Sequence, residues 1–252
     1  MTSAVSEPPP NTPPSWQHCR HDATQVDPVG CRGIHVTGHT ACLAHLADTD
    51  RNAYLNALTP GAVIDHRGTP FTEDLLHRLL TALHNPTTSQ AHIGNAWFDG
   101  ATFTGNAVFG GATFTGDARF EEATFTSDAV FGGATFTANT RFNGATFTGD
   151  ARFGEVTFTG DARFHGVTFT GDARFHGVTF TGDARYRRRP VRQGDLHRRR
   201  PVPRGDLHRR RPVRQGDLHR RRPVRRGDFH QQRPVRQGAV RDGVASGAAG
   251  MR

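Results

Sequence analysis

From residue 98 to residue 186 the chain keeps one phase of apolar and polar positions. Phe98, Phe103, Phe109 and Phe114 open a series that runs to Phe175, Phe180 and Tyr186, with gaps of alternately five and six residues, so the unit is 11 residues long. In the copy Gly171–Thr181 a small apolar residue precedes each Phe by two positions: Ala173 before Phe175 and Val178 before Phe180. Apolar residues two apart are the strand period. Each unit is thus predicted to hold two short strands, with Ala or Val and Phe turned inward. Arg174, Thr179 and Thr181 are turned outward. Gly stands two residues after most of the Phe, where a turn asks for dihedrals that other residues avoid. A short period of this kind predicts an all-β solenoid, in which each unit buries its apolar face only against its neighbours.

The segment Ala112-Thr-Phe-Thr-Gly116 reads as a small residue, a polar residue, Phe, then two polar or turn residues. Over about residues 95–186 the repeat resembles the pentapeptide-repeat family. That resemblance implies a right-handed quadrilateral parallel β-helix with one pentapeptide per face and four faces per coil. This sequence departs from the family unit at one point. Every second unit carries an extra residue, usually Asp, as at Asp117 before Ala118, so two units make a coil of about twenty-two residues rather than twenty. The extra residue is expected to form a bulge or a widened corner. Residues 91–186 then hold about four coils.

Ahead of the repeat, residues 1–17 form a Pro- and Ser-rich leader, expected to be disordered, and residues 18–90 a small, mainly α-helical head. One helix is expected from Ala41–His45 toward Ala57, broken near Asp48-Thr-Asp50. A second starts at Thr72 as N-cap, has Glu73 and Asp74 at its positive end, and shows one apolar face of Leu75, Leu76, Leu79, Leu80 and Leu83. Its Leu face is expected to cover the first coil as an N-terminal cap. Between the helices, Gly61–Gly68 reads as an extended segment and a turn.

All three cysteines lie in the head: Cys19, Cys31 and Cys42, among His18, His21, His35, His39 and His45. An odd count without a secretion signal argues against a disulfide framework. Cys42-Leu-Ala-His45 has the two-residue gap that lets both side chains reach one metal. Cys19, Cys31, Cys42 and His45 are therefore candidate ligands of a closed, structural Zn²⁺, with His21 competing for the fourth position. The head is also similar to small Cys/His leader domains that precede pentapeptide repeats in bacterial proteins. Neither a signal peptide nor an apolar run of membrane-spanning length is found, which makes a cytoplasmic location the expectation.

After Tyr186 the text becomes Arg- and Pro-rich but keeps the 11-residue period. Written in GC-rich codons and read two bases later, Gly171–Thr181 spells RRPVPRGDLHR, the text of Arg199–Arg209, without a mismatch. Residues 187–252 thus read as further repeats in a shifted frame, with Pro every eleven residues and an expectation of disorder. They hold 21 Arg and 5 Asp, a charge of +16, whereas residues 1–186 hold 11 Arg and 18 acids, a charge of −7. The net +9 of the whole chain belongs to the tail alone. Such a tail binds nucleic acid non-specifically and with strong salt dependence.

The pattern holds no nucleophile with its base, no phosphate-cradling Gly loop and no recurring pair of carboxylates placed in a cleft. A non-enzymatic structural or interaction protein is expected, presenting a repeated surface to a protein partner. One alternative is a DNA mimic acting on a topoisomerase, as the resemblance allows, although residues 91–186 carry 10 acids against 6 Arg. Another is nucleic-acid binding through the basic tail. Asp161/Arg163, Asp172/Arg174 and Asp183/Arg185 recur every eleven residues and should form ion-pair ladders on outer faces. An uncapped solenoid end would favour a homodimer.

Overall fold

The computed structural model describes residues 12–185. The leader up to residue 11, Tyr186, the tail at 187–252 and any dimer contact at the far solenoid end lie outside the described residues. The repeat forms a parallel solenoid with four sheets, one per face. Seventeen two-residue strands run from Ala96–Trp97 to Ala184–Arg185. All but those of the last coil pair in parallel with the strand one coil on, 22 residues later, as in Phe125↔Phe147 and Ala129↔Ala151. Two 11-residue units therefore close one coil.

The inward Phe side chains pile into four columns. Phe103, Phe125, Phe147 and Phe169 stack with ring centroids 4.7, 4.5 and 5.0 Å apart. Neighbouring columns meet edge to face, as at Phe131 and Phe142, 5.4 Å apart at 86°. Both geometries suit the ring quadrupole. Ala or Val at the second inward position leaves room for these rings, and every Phe from Phe98 to Phe158 is fully buried or within 1% of it.

The extra residue is a corner residue. The Asn95 side chain accepts the Asp117 N–H (2.8 Å), and the Asp117 carboxylate accepts the Asn139 N–H (3.1 Å). Asp128 and Asp150 do the same for Asp150 and Asp172 (3.1 and 3.2 Å) on another corner. A short side chain with an acceptor pairs an N–H that the turned ladder leaves open, which is why the position is always Asp or Asn from Asn95 to Asp183. Glycines two residues after the Arg-side Phe, such as Gly133 and Gly144, have φ of 69° and 70°; Glu122 and Glu155 hold the same position at 58° and 60°.

Parallel pairing starts before the repeat does. β1 (Ile64–Asp65) pairs with Ala96–Trp97, and β2 (Pro70–Phe71) with Thr102–Phe103. The extended segment expected at Gly61–Gly68 is therefore the first rung of one sheet. His66 stands in line with Phe98, its backbone bonded to Trp97, and its ring is buried against Phe71. Burial pushes its pKa down to about 4. Its Nε2 lies 3.2 Å from the Tyr54 hydroxyl, and its Nδ1 has no partner among the described atoms.

Helix α1 (Asp48–Ala57) starts at the expected break, not at Ala41. Arg51 explains the late start. Its guanidinium donates to the carbonyls of Leu43, Ala44 and Leu46 (3.0, 3.0 and 2.7 Å), so residues 43–46 bond to a side chain in place of a continuing helix. Helix α2 (Glu73–Ala82) is capped as read, with the Thr72 hydroxyl accepting the Leu75 N–H at 3.2 Å. Leu75, Leu76, Leu79 and Leu83 are buried in one core with the Phe columns. α2 packs on Ala107–Val108, the first strand of a sheet that has no earlier rung among the described residues, and covers that open edge. β3 (His84–Asn85) then turns antiparallel into β4 (Gln90–Ile93), which joins the fourth sheet beside Thr113–Phe114. Among the described residues no helix is long and apolar enough to cross a membrane.

Candidate metal centre

Two local structures bring four ligand atoms together. The first is an antiparallel pairing of residues 18–21 with 31–34. Cys19 N–H donates to Gly33 O (2.8 Å), Arg20 N–H to Cys31 O (2.9 Å) and Cys31 N–H to His21 O (2.9 Å). This sets Cys19 opposite Gly33 and Cys31 opposite His21 on one short ribbon. The second is a tight turn in which the His45 and Leu46 N–H groups both donate to Cys42 O, at 2.9 and 3.0 Å. It turns Cys42 and His45 toward the ribbon.

One ligand atom each from Cys19, Cys31, Cys42 and His45 lies within 4.8 Å of all the others. Cys31 Sγ and Cys42 Sγ are 3.8 Å apart, Cys19 Sγ and His45 Nδ1 3.4 Å, and Cys42 Sγ and His45 Nδ1 3.5 Å. With Zn–S near 2.3 Å and Zn–N near 2.0–2.1 Å, a tetrahedral ion sets two thiolates about 3.8 Å apart and a thiolate and an imidazole about 3.5 Å apart. These three separations match the edges of such a tetrahedron, and the remaining ones are at most 4.8 Å. His21 is outside this group. Its ring stacks on His45, with centroids 4.0 Å apart at 9°.

The sulfurs are electrostatically linked. The Cys42 thiol hydrogen-bonds to the Cys31 sulfur, which holds Cys31 well below the usual thiol range and Cys42 well above it. Burial raises Cys42 further, and the Gly33 N–H donates to Cys31 Sγ at 3.4 Å. Such N–H groups aimed at sulfur steady a thiolate ligand. Gly33 is a residue the sequence reading passed over. A Cβ there would sit 2.6 Å from Cys42 Cβ and 2.7 Å from its Sγ, so the ribbon packs on the turn only without one.

The centre sits on the seam between head and solenoid. Ile34 N–H donates to Arg67 O (2.8 Å), just after β1. Arg67 is paired with Asp65 (2.9 and 2.7 Å), and its guanidinium lies over the Trp16 ring, 5.0 Å from the centroid. Leu43 and Leu46, flanking the ligand turn, are buried in the same core as the first Phe rings.

The outer faces of the solenoid differ in kind. Two carry outward Thr in register, Thr102, Thr124, Thr146 and Thr168 on one, and Thr113, Thr135, Thr157 and Thr179 on the other. The others are mixed: Trp97 is followed by Arg119, Arg141, Arg163 and Arg185 on one, and Val108 and Val130 by Arg152 and Arg174 on the other. The Arg pair with carboxylates at the turns, as Arg119 with Asp99 (2.9 Å), Arg152 with Asp128 (2.9 Å) and Arg174 with Asp172 (3.4 Å). The expected pairs Asp161/Arg163 and Asp183/Arg185 form at 3.5 and 3.0 Å.

Residues 98–146 and 142–185 match the family model described as pentapeptide repeats (9 copies). No curated protein and no solved structure matches the chain.

Proposed function

Residues 98–185 being pentapeptide repeats, we propose that the chain is a non-enzymatic interaction protein, a rod whose repeated outer faces bind a protein partner. The observation that carries this reading is the in-register ladder, which repeats outward Thr along two faces and outward Arg along much of the other two, while the interior is filled by stacked rings. A rod of this kind offers extended faces for recognition. Its acids are largely matched by Arg one or two residues away or one coil away, which favours a protein partner over mimicry of nucleic acid. The head serves as its N-terminal cap. Cys19, Cys31, Cys42 and His45 would hold a structural Zn²⁺ there, closed to substrate, because all four tetrahedral positions go to protein.

The test is saturable capture by the full chain with variants on different faces. Thr124→Arg with Thr146→Arg places charge on one Thr face, and Arg152→Ala with Arg174→Ala strips one Arg face. A partner lost with one pair and kept with the other supports the reading. Binding unchanged by substitutions on every face removes it.

A further inference from the structure

The ligand group is also arranged for oxidation. Cys31 is half-buried, while Cys42 is fully buried directly behind it, with the sulfurs 3.8 Å apart. A disulfide needs about 2.05 Å between sulfurs, so a shift of less than 2 Å joins them. Cys19 has a different near neighbour, the His45 ring at 3.4 Å. Cys31 and Cys42 come from the two separate local structures of the centre, and a bond between them would remove two ligands from one ion at once.

We propose that Cys31 and Cys42 form a peroxide-reactive pair that expels the metal and loosens the cap. The inference rests on the zinc reading above. The Cys31 thiolate attacks one oxygen of a hydroperoxide, the O–O bond breaks, and the departing hydroxide takes up a proton to leave as water (or the alcohol). The Cys42 thiolate then attacks the sulfenic sulfur of Cys31. An S–S bond forms, hydroxide leaves and is protonated to water. Two electrons pass from the two sulfurs to the peroxide, and a dithiol returns two electrons to the disulfide, restoring both thiols as it is itself oxidised. Cys19 and His45 remain, too few to hold a structural zinc ion. Leu43 and Leu46 follow the freed turn, and the core around the first coil loses part of its cover.

The experiment uses the full chain, first assayed for zinc, then treated with hydrogen peroxide in the presence of a chromogenic zinc chelator. The products are mapped by peptide mass spectrometry without reduction. The expected result is one zinc released per chain, in step with a Cys31–Cys42 disulfide, and both reversed by dithiothreitol and added zinc. A loaded chain that keeps its metal and thiols in excess peroxide overturns the inference. So does release with sulfinic acids alone, or with a disulfide through Cys19. A chain that takes up no zinc before peroxide is added refutes the metal reading and this inference with it, and that failure is visible at the first step.

Discussion

Phe125 is the sharpest place to test the stacked core. Its ring is fully buried and lies between Phe103 at 4.7 Å and Phe147 at 4.5 Å, with Phe131 edge-on at 6.0 Å. Phe125→Ala removes the ring from the middle of a column where neither neighbour can close the gap without leaving its own rung. Core Phe→Ala substitutions cost about 3–5 kcal/mol. Two lost stacked contacts, each about 0.5–1.5 kcal/mol, place this one at the upper end of that range. In a stacked repeat the penalty falls on the interfaces with both neighbours. Phe180 is the control. It is half-buried and has one stacked partner, Phe158 at 5.0 Å, so Phe180→Ala should cost about half as much. Urea unfolding followed by far-UV circular dichroism gives both values. If Phe180→Ala is as damaging as Phe125→Ala, or if the latter costs less than about 1 kcal/mol, the continuous column is not what holds the coils.

Four further outcomes are expected. Cobalt substituted into the head should give the intense visible and near-ultraviolet bands of a tetrahedral thiolate site, lost in Cys42→Ser and retained in His21→Ala. His66 has a folded pKa of about 4 against an ordinary 6.5, so between those values the unfolded chain binds a proton that the folded chain refuses. Stability should therefore fall with falling pH across that window, by up to about 3 kcal/mol, and the fall should be shallower by that amount in His66→Phe measured beside the wild type. Glu155→Gly should raise stability by about 1 kcal/mol in the same urea assay, since Glu155 holds φ of 60° where every sister unit but that of Glu122 has Gly. Resequencing the gene across the codons for Gly182–Arg192 should reveal a two-base shift, and intact mass would then show repeats in place of the Arg-rich text; an unchanged frame with a matching mass refutes the frameshift reading.

The repeat was legible because its spacing is local and its coil length is constant, so Phe98 to Phe180 declare both period and facing without knowledge of any contact. The role of Asp117 or Asp150 was less so. The extra residue is visible in the sequence, but its hydrogen bond reaches across 22 residues to the next coil. Ile64–Asp65 and Pro70–Phe71 escaped as first rungs because α2 intervenes before the ladder resumes and no period links them to it. His66 gave no sign of standing in a Phe column. For the metal centre, residue type and the Cys42–His45 gap were enough to assemble a candidate set. That His45 lies with the three sulfurs while His21 stacks on its ring depends on a turn and a ribbon register that spacing does not show. The late start of α1 depends on Arg51 reaching back to three carbonyls, a tertiary choice that overrides helix propensity.

Because one 11-residue unit spans two of four sides, it is a half-turn of the rod as well as an increment of length. Gaining or losing one unit moves everything beyond it by only about 2.4 Å along the axis, half a strand spacing, but swings it through about 180° relative to the head. The Thr sides are diametrically opposite, as are the two that carry Arg, so such an event leaves the surface chemistry seen from the Thr sides nearly unchanged while reversing where the chain exits. Even changes in unit number preserve the bearing of whatever follows; odd changes invert it. Repeat number in this architecture therefore sets a compass heading, and counting units modulo two across variants of the gene is enough to read it.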